Sequence, residues 1–301
     1  MAMTDHAVRR DPPQLAYPTH TATSLATFIE SAIDRAGTER AVVGLSGGID
    51  STVTATLATI ALGSDRVTGL IMPGHATHPD DLEDARQVAE ELVIDTQEID
   101  VGPIVDTVVR SISGNSVPAG DARTGRGGTI HVPTKPRTDV TLARGNVAAR
   151  VRMLLAYYEA NTTDALVVGT GNYTELQVGY FTKYGDGGVD ILPLGECYKY
   201  EVRQLARALE VRSAVIQKPS TAGLRPGQTD EGDLGATYDN IDTILWNLEH
   251  SQVTQAAIAD AVGVSVDVVA DIQERVEQAA HTRSLPPTPS DVDSALVPSR
   301  V

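Results

Sequence analysis

The sequence predicts an α/β fold: a doubly wound parallel sheet with flanking helices, followed by C-terminal helices. Three observations predict it. Short apolar runs alternate with helical stretches through much of the chain. The run AVVGLSG (41–47) passes through a glycine turn directly into the helical STVTATLATIAL (51–62). A length of 301 residues with 41% hydrophobic content supplies a sizeable core, so the fold needs neither disulfides nor a structural metal.

In chain order, residues 1–22 read as a flexible arm, and a helix is expected over 24–36. The apolar segment 41–47 is the first strand, and 51–62 is the helix that its turn launches. The pattern repeats as strand VTGLIMP (67–73), helix DDLEDARQVAEEL (80–92), strand TQEIDV (96–101) and helix PIVDTVVRSI (103–112). Then come a long helix, GNVAARVRMLLAYYEAN (145–161), the strand ALVVGTG (165–171) and a short strand at DILP (190–193). Strands separated by helices pair in parallel, and ligands of such sheets lie beyond the carboxyl ends of the strands, where Ser46 and Thr170 both fall. Two stretches break the alternation: 113–145 is Gly/Pro-rich, and 218–235 is polar and rich in breakers. Loops of that length are lids or mobile excursions. The segment 254–276 has helix-turn-helix spacing but carries only Arg275 against four acids, so it reads as a plain helical pair packed on the core. A single domain is expected over 23–283, with a Pro/Ser-rich flexible tail at 284–301.

The formal charge is −16, which disfavours nucleic acid as a partner, because phosphate binding gathers Lys and Arg on one face. The 24 basic residues divide into 20 arginines and four lysines. An acidic surface nearly stripped of lysine suits a cytosol rich in salt, where screening reduces self-repulsion. The single cysteine, Cys197, has no partner for a bridge, and no His/Cys cluster has zinc-ligand spacing. The N-terminal residues form no signal-like apolar stretch, and no run approaches the roughly 20 apolar residues of a membrane span. A soluble, cytoplasmic protein without membrane or nucleic-acid partners is expected.

Chemistry concentrates first in SGGIDS (46–51). Two glycines let the backbone turn tightly against a ligand, and the following helix aims its free N–H groups at phosphates. Ser46 and Ser51 add hydroxyls to the cup. A carboxylate at Asp50 would repel phosphates unless a divalent cation lay between them, so Asp50 predicts magnesium. The loop lacks G-x-x-x-x-G-K-[ST] spacing, so transfer of the γ-phosphate is not its natural chemistry. Cleavage of ATP to AMP and pyrophosphate is.

GLSGGIDS (44–51) resembles the signature of the ATP pyrophosphatase group, whose adenine nucleotide alpha hydrolase-like fold matches the one read above. The runs GNVAARVRM (145–153), VVGTGNYTELQVGYFTKYGDGGVDILPLGECYKYEVRQLA (167–206) and KPSTAGLRPGQTDEGDLGATYDNIDTIL (218–245) resemble NAD synthetase, and GYFTKYGDGG is the most specific. The resemblance covers most of 24–283. It implies an ammonia-dependent NAD synthetase, which adenylates the nicotinate carboxylate of deamido-NAD, releases pyrophosphate and lets ammonia displace AMP. It also implies a homodimer.

By the same resemblance, residues Gly44, Leu45, Ser46, Gly47, Gly48, Ile49, Asp50 and Ser51 bind ATP together with Thr170, Lys199 and Thr221. Asp50 and Glu175 hold the metal. Arg150, Lys183, Asp190, His281 and Thr282 contact the dinucleotide, and Asp186 lies by the ammonium site; Asp50, Lys199 and Asp186 carry the catalysis. Where relatives often read His-Lys-Arg, this chain reads His281-Thr282-Arg283, and Arg283 is expected to supply the missing charge.

Lysine usage supports the assignment without any family. Lys183, Lys199 and Lys218 fall within 169–221, although arginine serves almost everywhere else. A lysine kept in such a background suggests a compact charge that a planar guanidinium cannot replace. Lys218 has no motif and reads as a solvated loop residue. Cys197 is expected to be buried rather than a glutaminase nucleophile, and the chain has no length to spare for an amidohydrolase domain, so ammonia is the direct donor. Two other readings are another ligase of the same group and a nucleotide-binding sensor without turnover. Net acidity and FTKYGDGG weigh against the first, and the paired carboxylates Asp50 and Glu175 against the second.

Overall fold

A computed structural model of the protein describes residues 8–112, 140–223, 227–288 and 291. The chain begins with α1 (Pro18–Ala36), β1 (Arg40–Leu45), α2 (Ile49–Leu62), β2 (Val67–Ile71), α3 (Pro79–Leu92), β3 (Asp95–Glu98) and α4 (Gly102–Ile112). It continues with α5 (Val140–Thr163), β4 (Ala165–Val168), α6 (Tyr173–Val178), α7 (Lys199–Ala208) and α8 (Ser213–Gln217). The last elements are α9 (Asp230–Leu234), α10 (Tyr238–His250), α11 (Gln255–Val262) and α12 (Val266–Arg283).

The four strands are parallel in the order β3-β2-β1-β4. Leaving β3 at one edge, the chain re-enters the sheet at the other edge as β4, so the winding reverses between β1 and β4. Their carboxyl ends open into a crevice there, the ligand position of doubly wound sheets. Val43 and Val42 are both buried but belong to different apolar clusters, because successive side chains point to opposite sides of a strand. On one side Val43 joins α1, α2 and α7 through Ile29, Ile33, Leu57 and Leu205; on the other, Val42 joins α5 through Ala156 and Ala160. A separate cluster, including Tyr238, Ile241, Ile244, Ile258 and Ile272, unites α10, α11 and α12 with Val178 of α6. The segment with helix-turn-helix spacing is thus a helical pair that builds core.

Several boundaries differ from expectation. α1 starts at Pro18, whose missing N–H is costless in a first turn. Residues 8–17, expected within a flexible arm, lie against the body. The Arg9 N–H donates to Asn247 Oδ1 at 2.9 Å, Asn247 Nδ2 returns a bond to Arg9 O at 2.9 Å, and the Leu15 N–H donates to Gln204 Oε1 at 2.8 Å. Residues 1–7 lie outside the described residues, as do 113–139 of the Gly/Pro-rich stretch, 224–226 of the polar loop and most of the tail. α5 begins at Val140, not at 145. DILP forms no strand: only Ile191 bridges, to Val168, and Pro193 has no N–H with which to extend a ladder.

Candidate active site

The turn after β1 closes on itself. Ser51 Oγ donates to Gly48 O at 3.0 Å, so the 3.0 Å bond between Ser46 and Ser51 must use the Ser46 proton. Ser46 Oγ in turn faces the Gly48 N–H at 3.3 Å. The Ser51 hydroxyl, expected to line the phosphate cup, is therefore spent inside the turn. Gly47 has φ +75°, and a Cβ there would collide with Asp81 O of α3, so only glycine fits. Leu45 and Ile49 are core residues and can meet a ligand only through their backbone. The N-terminus of α2 opens beside this turn, with Asp50 in its first turn.

Three elements then converge on one buried ammonium. Lys199, the first residue of α7, is 1% exposed and donates to Asp50 Oδ2 at 2.5 Å and Glu175 Oε1 at 3.0 Å. Burial alone lowers a lysine's pKa, but Asp50 and Glu175 outweigh it and raise Lys199, which keeps its charge. Burial pushes Glu175 upward, against the pull of Lys199. Hard carboxylate oxygens at Asp50 and Glu175 suit magnesium. Among the described residues no three His, Cys, Asp or Glu side chains are grouped to hold a metal, so an ion bound by this pair would draw its other ligands from phosphate and water.

Sequence reasoning missed the residues that hold this cluster. Asn172, fully buried, donates through Nδ2 to Asp50 Oδ1 at 2.8 Å while its Oδ1 caps α6 at the Glu175 N–H. Asn172 and Glu175 form a reciprocal capping box, so one asparagine orients both carboxylates. Asn-x-x-Glu in GNYTE was a visible capping signal, though not a visible link to Asp50. Asp242 of α10, also fully buried, accepts from Thr174 Oγ1 at 2.5 Å and from the Tyr200 N–H at 2.8 Å, and Thr174 Oγ1 accepts from the Lys199 N–H at 2.9 Å. It thereby caps the start of α7 and fixes Lys199; burial pushes its pKa up to about 7. The Tyr238 ring lies 4.8 Å from Lys199 Nζ. Nothing in local sequence marks these long-range partners.

The residues expected to contact the dinucleotide are not drawn into that cluster. Lys183 Nζ donates to His281 O at 2.7 Å and Ser284 O at 2.8 Å, sealing the end of α12. Asp190 accepts from the Val167 N–H at 2.8 Å and the Tyr157 hydroxyl at 3.0 Å. Arg150 Nη2 donates to Lys183 O at 3.1 Å, while Arg152 reaches Met72 O at the end of β2 at 2.9 Å. Asp186 closes its own turn by accepting from the Thr182 N–H at 2.9 Å. Thr282 Oγ1 donates back to Ala279 O at 2.7 Å, and His281 is exposed. Arg283, expected to replace the missing lysine charge, instead donates to Leu176 O and Gln177 O at the end of α6, at 3.1 and 2.7 Å. Thr170 follows β4 at the crevice, and Thr221 is exposed with Oγ1 accepting from the Gly223 N–H at 3.1 Å.

Two further residues resolve differently. Lys218 is no solvated loop residue: its Nζ lies 2.5 Å from Asp81 and 2.7 Å from Asp84, tying the root of the polar loop to the helix against which Gly47 packs. Cys197 is buried, and burial pushes its thiol up to about 12, which leaves it un-ionised at neutral pH.

The family model for NAD synthase matches residues 21–286. An NH(3)-dependent NAD(+) synthetase of Methanosarcina acetivorans is 42% identical over 87% of this chain and 94% of its own length. Its counterpart in Pyrococcus furiosus is 40% identical over 85% and 90%. Among solved structures, an NMN synthetase from Francisella tularensis superposes with TM-score 0.74 at 31% identity, covering 90% of this chain and 98% of that one. An NH3-dependent NAD synthetase from Campylobacter jejuni gives TM-score 0.68 at 26% identity over 90% and 98%. With a family match that begins within α1 and ends beyond α12, taking in the Asp50–Lys199–Glu175 cluster, this chain belongs to the NAD synthase family.

Proposed function

We propose that this protein amidates deamido-NAD to NAD with ammonia, through an adenylated nicotinate, releasing AMP and pyrophosphate. The observation that carries the reading is the buried Lys199 ammonium, fixed by Asp50 and Glu175 beside a helix N-terminus. Activating a carboxylate with ATP brings anions together, so catalysis depends on prearranged cations rather than on a nucleophile. In this reading α2 and the 44–51 turn hold the phosphates, Lys199 neutralises them, and Thr170 and Thr221 contact ATP. Asp50 and Glu175 would hold magnesium, which would supply Lewis-acid chemistry when bound. Arg150, Lys183, Asp190, His281 and Thr282 contact the dinucleotide, and Asp186 gathers ammonium. Lys183 and Thr282 would exchange backbone partners for substrate on binding.

The chain is a cytoplasmic homodimer in this reading. Exposed Val140, Leu154 and Tyr158 share one side of α5 and favour a covered face there. The net charge of −16 favours function in high salt.

One assay tests the activity. The protein is incubated in high salt with ATP, magnesium, deamido-NAD and either ammonium or glutamine, and the products are identified. NAD, AMP and pyrophosphate, dependent on ammonium, are expected; ADP, or no turnover at any salt concentration, would overturn the reading. A parallel arm offers the nicotinate mononucleotide, because the structural likeness to an NMN synthetase favours that acceptor as a second reading.

A further inference from the structure

Lys199 has a third neighbour whose own partner comes from the polar loop. Tyr238 is fully buried with its ring 4.8 Å from Lys199 Nζ, and its hydroxyl lies 3.0 Å from Asp230 Oδ2 and 3.5 Å from Glu175 Oε1. A tyrosine hydroxyl has one proton to donate. That one proton has two acceptors, and the nearer is Asp230. Asp230 begins α9, and its N–H donates to Ser220 O at 3.0 Å, immediately before Thr221. Among the described residues its other oxygen, Oδ1, is buried without a hydrogen-bond partner. A buried, half-satisfied carboxylate opposes folding, and such groups call for a functional explanation.

We propose that Tyr238 and Asp230 are positioning residues for the ATP site: Asp230 fixes the Tyr238 hydroxyl, and the Tyr238 ring face holds Lys199. The phosphate-facing cluster is thereby set from the segment that carries Thr221. This rests on the reading of Lys199 as a phosphate-binding lysine.

The test uses full-length Tyr238→Phe, Asp230→Ala and Asp230→Asn. Calorimetry gives the Kd for magnesium-ATP without the second substrate, kinetics give KM for each substrate, and melting temperature is followed separately. Tyr238→Phe and Asp230→Ala should weaken ATP binding on the order of tenfold, since small displacements of positioned groups are costly, while KM for the dinucleotide stays within about twofold. Asp230→Asn keeps an acceptor for the tyrosine hydroxyl and should recover most of the loss. An unchanged ATP Kd in the first two variants, or Asp230→Asn as weak as Asp230→Ala, would overturn the proposal, as would a lowered melting temperature with normal ATP affinity. If Tyr238→Phe fails to fold, the two Asp230 variants decide. Wild-type protein that binds ATP but forms no AMP would defeat the proposed activity and leave this inference to the Kd comparison.

Discussion

The two halves of the candidate site are built on opposite plans. Around Lys199 the charged side chains face one another: Asp50, Glu175 and the ammonium are mutually bonded, and Asn172, Thr174, Asp242 and Tyr238 brace them from four sides. Around residues 182–190 the charged side chains face the protein's own backbone instead. Lys183 caps α12, Asp186 closes a turn and Asp190 clamps β4. A cluster of side chains paired to each other is held by the protein's own charges before any ligand arrives. Side chains bonded to backbone have already spent part of their hydrogen-bonding capacity on the protein itself. The first half is preorganised for charge; the second, in the proposed function, would meet a substrate with its own polar groups.

The largest test of that contrast is a matched pair of amide substitutions. Asp50→Asn removes one of the two anions bonded to Lys199, which is also one of the two carboxylates proposed to hold magnesium. It is expected to lower AMP formation by about 10²–10³-fold, the usual cost of removing a prearranged electrostatic group. Asp186→Asn preserves an acceptor for the Thr182 N–H and should mainly raise the ammonium concentration needed for half-maximal rate. Equal losses with no ammonium effect would remove the ammonium role from Asp186 and erase the functional difference between the halves.

Their legibility in sequence differs for the same physical reason. The turn at 46–51 was readable because local constraints crowd into six residues: a positive-φ glycine, a helix start and a carboxylate among phosphate-binding groups. The alternation of strands and helices was readable too, since periodicity is local, and it led correctly to a parallel sheet. Asp242 and Tyr238 were not readable, because they lie far along the chain from Lys199 and sit in a helix whose pattern looks like ordinary core. Lys218 was misjudged for the same cause, as its partners Asp81 and Asp84 are on a distant helix. Arg283 was misjudged because sequence shows a charge but not the carbonyls of α6 that engage it. Pro193 was a legible stop signal that the strand expected at DILP overlooked.

Bracing by a buried carboxylate should appear as pH dependence of stability. Burial lifts Asp242 from its ordinary 3.8 to about 7, against the hydrogen bonds that favour its charge. Between those values the native protein holds a proton that the unfolded chain has released, so stability from this group is greatest below pH 4 and falls as pH rises through 7. The difference has an upper bound of about 4 kcal/mol. Denaturant midpoints at pH 5.5 and 8, at fixed high salt, should show the protein weaker at pH 8, and Asp242→Asn should flatten the slope. A slope of the opposite sign, or one unaltered in the variant, would mean that Asp242 is ionised throughout and braces α7 as a charge.

The smallest effect is expected at Thr282, where the sequence resemblance leads to the expectation of a lysine; its hydroxyl is turned back onto Ala279 O. Arg283 cannot compensate while its guanidinium binds the carbonyls of Leu176 and Gln177. Thr282→Lys therefore adds a cation without dismantling another contact of the site. It should lower KM for the dinucleotide by about two- to fivefold, the worth of one exposed ion pair, with KM for ATP unchanged. The gain should shrink as salt is raised, because an exposed pair is screened. A salt-independent gain would instead mean that the lysine stem packs against the substrate, and no gain at any salt would show that Thr282 lies outside the dinucleotide's reach.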